Sequence, residues 1–245
     1  MNTTNPNYII EVADIQKKYG SKQVLSGVSF VAAPGECIGI VGANGCGKST
    51  LLGILSGSLK KDSGTIHYNG KSPCQHKQLF SQLIGYVPQD NPLMDNLSVR
   101  DNLRFWYCES SRSLEEDFQN GVPACFGLTS YQHYDVSKLS GGLKKRLSIA
   151  CSLAKDPPIL ILDEPGASLD IVCKEDIKNY LASYLADGGT VLIASHEEYE
   201  LELCDRIYLL QNGGLTAIPE LDKASRRNTS IGSFLRGRIV ASEGR

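Results

Sequence analysis

The sequence predicts an α/β fold with a mainly parallel sheet, an antiparallel β-subdomain near the N-terminus and a helical subdomain inserted into the parallel core. Three observations predict it. Short, almost wholly apolar runs alternate with helix-period patterns, as in sheets buried on both faces. Apolar stretches before residue 70 are separated by turn signals instead of helices. Between about residues 91 and 157 strand-like runs become scarce and polar, helix-compatible stretches dominate.

Each element follows in order. Ile9, Ile10 and Val12 start an antiparallel sheet, joined by residues 24–31 and by 64–68, which the turn pair Asn69-Gly70 closes. The parallel strands are 37–41, the run containing Ile84, Tyr86 and Val87, 159–162 and 191–194. Leu51, Leu52, Leu55 and Leu59 line one helix face. Leu143, Leu147, Ala150 and Ala154 line a second, stopped by Asp156-Pro157-Pro158. Ile177, Leu181, Tyr184 and Leu185 line a third, stopped by Gly188-Gly189. Residues 113–119 are the clearest helical stretch of the inserted lobe. Residues 207–210 and 215–218 form a hairpin around Asn212-Gly213-Gly214. A tail from about 220 to 245 carries Lys223, Arg226, Arg227, Arg236, Arg238 and Arg245. All of this reads as a single domain over 1–245.

Composition excludes several classes. Of 245 residues, 41% are hydrophobic and 21% charged, which is ordinary for a globular protein. The net charge of -2 supplies no field for nucleic acid and no acidic excess for disorder. Eight cysteines are scattered without a C-x-x-C pair, as reduced thiols would be. Cys74 and His76 lie close together but lack further metal-ligand partners. Residues 1–7 are polar, and no apolar run approaches the ~20 residues of a membrane helix. A cytoplasmic protein is expected, with any membrane role borrowed from a partner.

The strongest motif is Gly42-Ala43-Asn44-Gly45-Cys46-Gly47-Lys48-Ser49-Thr50, which fits G-x-x-x-x-G-K-[ST]. A buried strand precedes it and an amphipathic helix follows. Glycines let backbone N–H groups close around phosphate oxygens, and the helix N-terminus adds a positive dipole end. Lys48 brings a full charge to the β- and γ-phosphates, and Ser49 a hydroxyl to Mg²⁺. The fold is then a P-loop NTPase core. Cys46 stands at a helix start, where a thiolate is favoured. Next, Ile159-Leu160-Ile161-Leu162-Asp163-Glu164 sets two carboxylates at the carboxyl end of a buried strand, where open α/β sheets bind ligands. Asp163 is placed to hold Mg²⁺ and Glu164 to orient and deprotonate an attacking water.

Leu139-Ser140-Gly141-Gly142 precedes a helix about twenty residues before the acidic pair. With the phosphate loop, it resembles the signature of ABC-type ATPases. The resemblance covers about residues 8 to 216. It implies that Tyr19 stacks on adenine and that Gln89 reaches Mg²⁺ and the reacting water. It further implies that Ser168-Leu169-Asp170 is the D-loop and that His196 senses the γ-phosphate. Two departures stand out. Leu143 replaces the usual glutamine, which alters tuning, and Gly166-Ala167 replaces the commoner threonine, which loosens the turn holding the base. Lys144, Lys145 and Arg146 read as a solvated helix face.

In the family two domains pair head to tail, and Ser140, Gly141 and Gly142 of one face the γ-phosphate on the other. The resemblance therefore implies ATP and Mg²⁺ as cofactors, a second ATP-binding subunit as one partner and a membrane-spanning permease as another, with no nucleic acid. The chain would sit on the cytoplasmic face of the membrane through that permease, with residues 195–207 leaning toward efflux-type members. The alternative is a soluble ABC-type ATPase without a transport role, of iron–sulfur assembly or translation type. A GTPase reading fails, because no N-K-x-D guanine-reading motif exists.

Overall fold

Strands buried on both faces organise the core of the protein, whose computed structural model describes residues 9–73, 79–167, 169–225, 231, 232 and 234. The central strands are β3 (Cys37–Val41), β5 (Ile84–Val87), β6 (Ile159–Asp163), β7 (Thr190–Ala194) and β8 (Arg206–Gln211). On one face Val41, Leu160, Leu162, Val191, Ile193 and Ile207 pack against the helical lobe. On the other, Ile38, Ile40, Ile159, Ile161, Leu192 and Leu210 pack against the first helix and the N-terminal sheet. Successive side chains of a strand point to opposite faces, so both faces had to be apolar.

The sheet runs β5-β6-β7-β3-β8-β9, with β9 (Gly214–Ala217) antiparallel to β8 and the other pairs parallel. A second sheet, β2-β1-β4, is antiparallel and built from β1 (Ile10–Tyr19), β2 (Lys22–Ala32) and β4 (Ser63–Tyr68). β1 extends seven residues beyond the apolar Val12. Its polar half, including Lys17 and Lys18, is held by pairing, with a register shift at Asp14, whose φ is +54°. Tyr19 thereby becomes a strand end.

Helices α1 (Lys48–Leu55), α2 (Leu79–Leu83), α3 (Val99–Tyr107), α4 (Leu114–Asn120), α5 (Val122–Cys125), α6 (Gly141–Ser152), α7 (Ile171–Ala186) and α8 (Glu198–Leu201) complete the described fold. The inserted lobe holds α3 to α6. Serines start α3, α4 and α6: Ser98, Ser113 and Ser140 each accept a bond from an N–H in the first turn. α1 stops at Leu55, short of the expected Leu59, whose N–H instead donates back to the Gly53 carbonyl at 2.9 Å. The expected D-loop serine Ser168, the pair Cys74 and His76, and the basic residues Arg226, Arg227, Arg236, Arg238 and Arg245 lie outside the described residues. Among the described residues no helix is long and apolar enough to cross a membrane.

Parallel strands put all their carboxyl ends on one edge. The segments leaving β3, β5, β6 and β7 bring Lys48, at the start of α1, and Gln89, Glu164 and His196 respectively. Leu160 is fully buried in the strand between β5 and β7. Leu160→Ala is expected to cost about 2–5 kcal/mol, read as a lowered urea midpoint with an unchanged m-value.

Candidate active site

Gly47 is the residue that lets the phosphate loop exist. It caps α1 at φ +114°, and a Cβ there would lie 2.9 Å from the Val24 side chain. No side chain caps α1, so the N–H groups of its first turn are directed at the loop interior. This is the local geometry that binds anions.

Lys48 is buried and folds back over its own loop. Its Nζ donates to the Gly42 carbonyl at 2.9 Å and the Ala43 carbonyl at 3.4 Å, and lies 2.9 Å from His196 Nε2. Glu164 Oε1 is 3.8 Å from Lys48 Nζ and 3.6 Å from His196 Nε2. Burial, then the Lys48 ammonium, pushes the His196 imidazole below its ordinary range against the pull of Glu164 and Glu197. His196 is therefore neutral at pH 7, and its Nε2 accepts from Lys48. Glu164 sits at φ +48°, an uncommon conformation for a non-glycine residue. Its N–H donates to the Ala194 carbonyl at 2.9 Å, which ties the acidic turn to β7.

A cavity of about 400 Å³ is lined by Val24, Asn44, Gly45, Gly47, Lys48, Ser49, Thr50, Gln89 and Glu164. Cys46 lines a neighbouring cavity of about 370 Å³ with Asn44, Gly45 and the β8–β9 turn. Behind them lies Asp163, buried, with its carboxyl raised chiefly by desolvation and lowered by the Ser49 hydroxyl. Its Oδ1 has no hydrogen-bond partner among the described residues. An orphaned buried carboxylate oxygen beside a serine hydroxyl suits a hard cation such as Mg²⁺. The set offers one side of a triphosphate site: backbone donors, one buried ammonium, a cation ligand and a carboxylate lining the same space.

The other expected residues form a separate cluster. Ser140 Oγ accepts from the Leu143 N–H at 3.3 Å, and Asp170 Oδ1 from the Cys173 N–H at 2.9 Å. A Cβ on Gly142 would lie 3.7 Å from Asp170 Oδ2, so Gly142 and Asp170 are neighbours. Neither they nor Ser140 and Gly141 line the Lys48 cavity. Tyr19 also stands outside it, 49% exposed, with Lys17 Nζ 5.4 Å from its ring centroid.

This fold and site define a phosphate-loop ATPase of the ATP-binding cassette class. The chain matches the ABC transporter family model over residues 25–167, more than half its length, and belongs to that family. It is 37% identical over 211 residues to the Nod factor export ATP-binding protein I of Paraburkholderia xenovorans (strain LB400), covering 85% of this chain and 69% of that one. It is 38% identical over 215 residues to the protein of the same description from Rhizobium meliloti (strain 1021), covering 85% and 63%. A solved ATP-binding subunit of an ABC transporter superposes with TM-score 0.82 at 25% identity, covering 95% of this chain and 99% of that one. A dimeric ATP-binding cassette in a post-hydrolysis state bound to ADP and Pi superposes with TM-score 0.75 at 26% identity, covering 84% and 96%. The chain is thus an ATP-binding and ATP-hydrolysing ABC transporter subunit.

Two expectations need correction. Lys145 is buried instead of solvated, and its Nζ donates to the Gln89 carbonyl at 3.0 Å and the Pro88 carbonyl at 3.3 Å. Burial lowers its pKa. Cys46 is no favoured thiolate: partial burial raises its pKa and outweighs Lys48. Beside the turn at Gly166 stands the Tyr199 hydroxyl, in the space a larger side chain would take. Sequence reading also passed over Ile171 and Val172, which are 80% and 67% exposed at the start of α7. Their signal was two adjacent apolar residues off the helix face marked by Ile177 and Leu181.

The depressed His196 pKa has a pH consequence. An unfolded histidine takes up a proton near pH 6.5, whereas the folded one resists until lower pH. Stability supplied by neutral His196 is then present above about pH 6.5 and is lost as pH falls below it. Melting temperatures of wild type and His196→Ala, compared from pH 7.5 to 5.5, are expected to show wild type losing ground progressively.

Proposed function

We propose that this chain, over 1–245, works as one half of a two-subunit ATPase that drives a separate membrane-spanning permease from the cytoplasmic face. The observation that carries this reading is the division of the site. The Lys48 cavity lacks Ser140, Gly141, Gly142 and Asp170, which cluster beside the exposed Ile171 and Val172. A second copy, or a related chain, placed head to tail would cover those apolar side chains and bring the second cluster onto the nucleotide of the first. A solved cassette similar to this chain is described as dimeric, which supports a two-subunit reading.

In this reading the residue roles combine the site's geometry with those the family resemblance implies. Gly42 to Thr50, with Asn44, Gly45, Cys46 and Gly47 supplying backbone donors, cradle the phosphates. Lys48 exchanges its carbonyl and imidazole partners for β- and γ-phosphate oxygens. Ser49, Asp163 and Gln89 would hold Mg²⁺, which when bound neutralises phosphate charge. Glu164 orients a water and takes its proton as the water oxygen attacks the γ-phosphorus and the bond to the bridging oxygen of ADP breaks. His196, released by Lys48, turns a ring nitrogen to the γ-phosphate. Tyr19 stacks on adenine from the end of β1. Ser140, Gly141, Gly142 and Asp170 act on the partner's nucleotide.

The permease docks on the helical lobe. Met94, Leu97, Phe105 and Trp106 are exposed there, close in sequence to Gln89, and Phe105 is 62% exposed. Apolar patches of this kind suit a protein partner. Outward transport is the favoured direction, because the similar curated proteins are described as export ATP-binding proteins.

Glu164→Gln keeps shape and removes the base. With ATP and Mg²⁺ it is expected to turn over at least about 10²-fold more slowly and to run as a dimer on size exclusion. Adding Ile171→Glu to that variant should return it to the monomer position by placing a charge in the closing face. A Glu164→Gln protein that stays monomeric with saturating ATP, alone and with its permease, would overturn the two-subunit reading.

A further inference from the structure

We propose that Tyr199 is a positioning residue for turnover: its phenol fills the space left by Gly166 and fixes the Glu164 turn against the segment that carries His196. The proposal rests on the roles just given to Glu164 and His196 and extends them to residues outside the shared motifs.

The geometry is specific. A Cβ on Gly166 would lie 1.7 Å from Tyr199 Oη, 3.0 Å from its Cζ and 2.4 Å from Glu200 Oε1. Position 166 is where the family more often carries threonine. Here position 166 has no side chain, and Tyr199 of α8 occupies the space beside it. Gly166 is two residues after Glu164, whose φ of +48° is uncommon for a glutamate and persists only if its surroundings hold it. The turn's own bonds are long: Ala167 N–H to Glu164 carbonyl and Leu169 N–H to Gly166 carbonyl are both 3.3 Å.

Tyr199 is itself held by Glu200 at its hydroxyl and by Lys174 over its ring. Its hydroxyl donates to Glu200 Oε1 at 2.7 Å. The other oxygen of Glu200, a buried carboxyl, accepts from the Ser195 hydroxyl, and Ser195 Oγ accepts from the Glu197 N–H at 2.9 Å. Ser195 and Glu197 flank His196 directly. Lys174, on the first turn of α7 after Asp170, lies 5.4 Å from the Tyr199 ring centroid and 2.8 Å from Glu197 Oε1. One aromatic ring therefore joins the base turn, the histidine loop and the helix that begins at Asp170. A merely space-filling tyrosine would not require its oxygen to point into the turn that bears the base.

The test is a mutant cycle on the full chain, reading kcat, KM for ATP and melting temperature together. Tyr199→Ala is expected to lower kcat by about tenfold or more with KM changed less than about twofold, because small misplacements of reacting groups act on the chemical step. Tyr199→Phe, which keeps the ring and loses the bond to Glu200, should fall between wild type and Tyr199→Ala. Gly166→Thr alone should also lower kcat by steric conflict. The double variant Gly166→Thr/Tyr199→Ala should recover kcat to within about threefold of wild type, since the threonine then fills the space from its own turn. Wild-type kcat in Tyr199→Ala would overturn the proposal, as would a loss confined to KM. A double variant that recovers melting temperature but not kcat would reduce Tyr199 to packing. Gly166→Thr failing to fold would leave the two Tyr199 single variants to decide. Glu164→Gln, assayed alongside, tests the base assignment separately: full turnover there would sink that assignment and not the measured coupling between positions 166 and 199.

Discussion

A buried ammonium needs partners, and the site is organised around satisfying Lys48. Removing a charge from water costs several kcal/mol even after relaxation unless counter-groups repay it. Gly42 and Ala43 repay part through their carbonyls, His196 part through Nε2, and Glu164 part through its nearby charge. These groups come from loops after three strands, β3, β6 and β7, whose parallel register brings their carboxyl ends to one edge. The same register explains Asp163. At the end of β6 it is too deep for solvent, so its unpartnered oxygen keeps a standing demand for a cation. The protein thus holds one positive and one negative group that are each incompletely satisfied, and a magnesium–triphosphate complex answers both.

How much of this was legible depended on whether the signal was local. Phosphate-loop spacing, the apolar run ending in Asp163-Glu164 and the order of the shorter motifs can be read directly, because each function is encoded in neighbouring residues. The parallel strands were legible for the same reason: both faces are buried, so the runs are nearly uninterrupted. Elements stabilised by distant partners were not. β1 runs to Tyr19 because β2 and β4 pair with it, not because Lys17 and Lys18 favour strands. Lys145 looked solvated because the chain segment that buries it, with the carbonyls of Pro88 and Gln89, lies more than fifty residues away. Gly166 looked like a weakened turn, since nothing near it in sequence announces Tyr199.

Lys145 also bears on how the helical lobe communicates with the nucleotide. It projects from α6, the helix that Ser140 caps, and its ammonium is held by the backbone of the loop that carries Gln89. Burial lowers its pKa, so separating it from those carbonyls would strand either a desolvated cation or two unpaired acceptors. The cheaper motion keeps them together. A displacement of α6 that keeps these contacts carries the Gln89 backbone with it, and Gln89 lines the Lys48 cavity. Lys144, next in the helix, pairs with Asp95 at 2.8 Å in the segment leading to the exposed Leu97 and α3. The lobe face bearing Phe105 and Trp106 and the phosphate cavity are therefore linked through two adjacent lysines of one helix. The exposed Lys144 pair yields at little energetic cost, whereas separating the buried Lys145 from its carbonyl partners costs more.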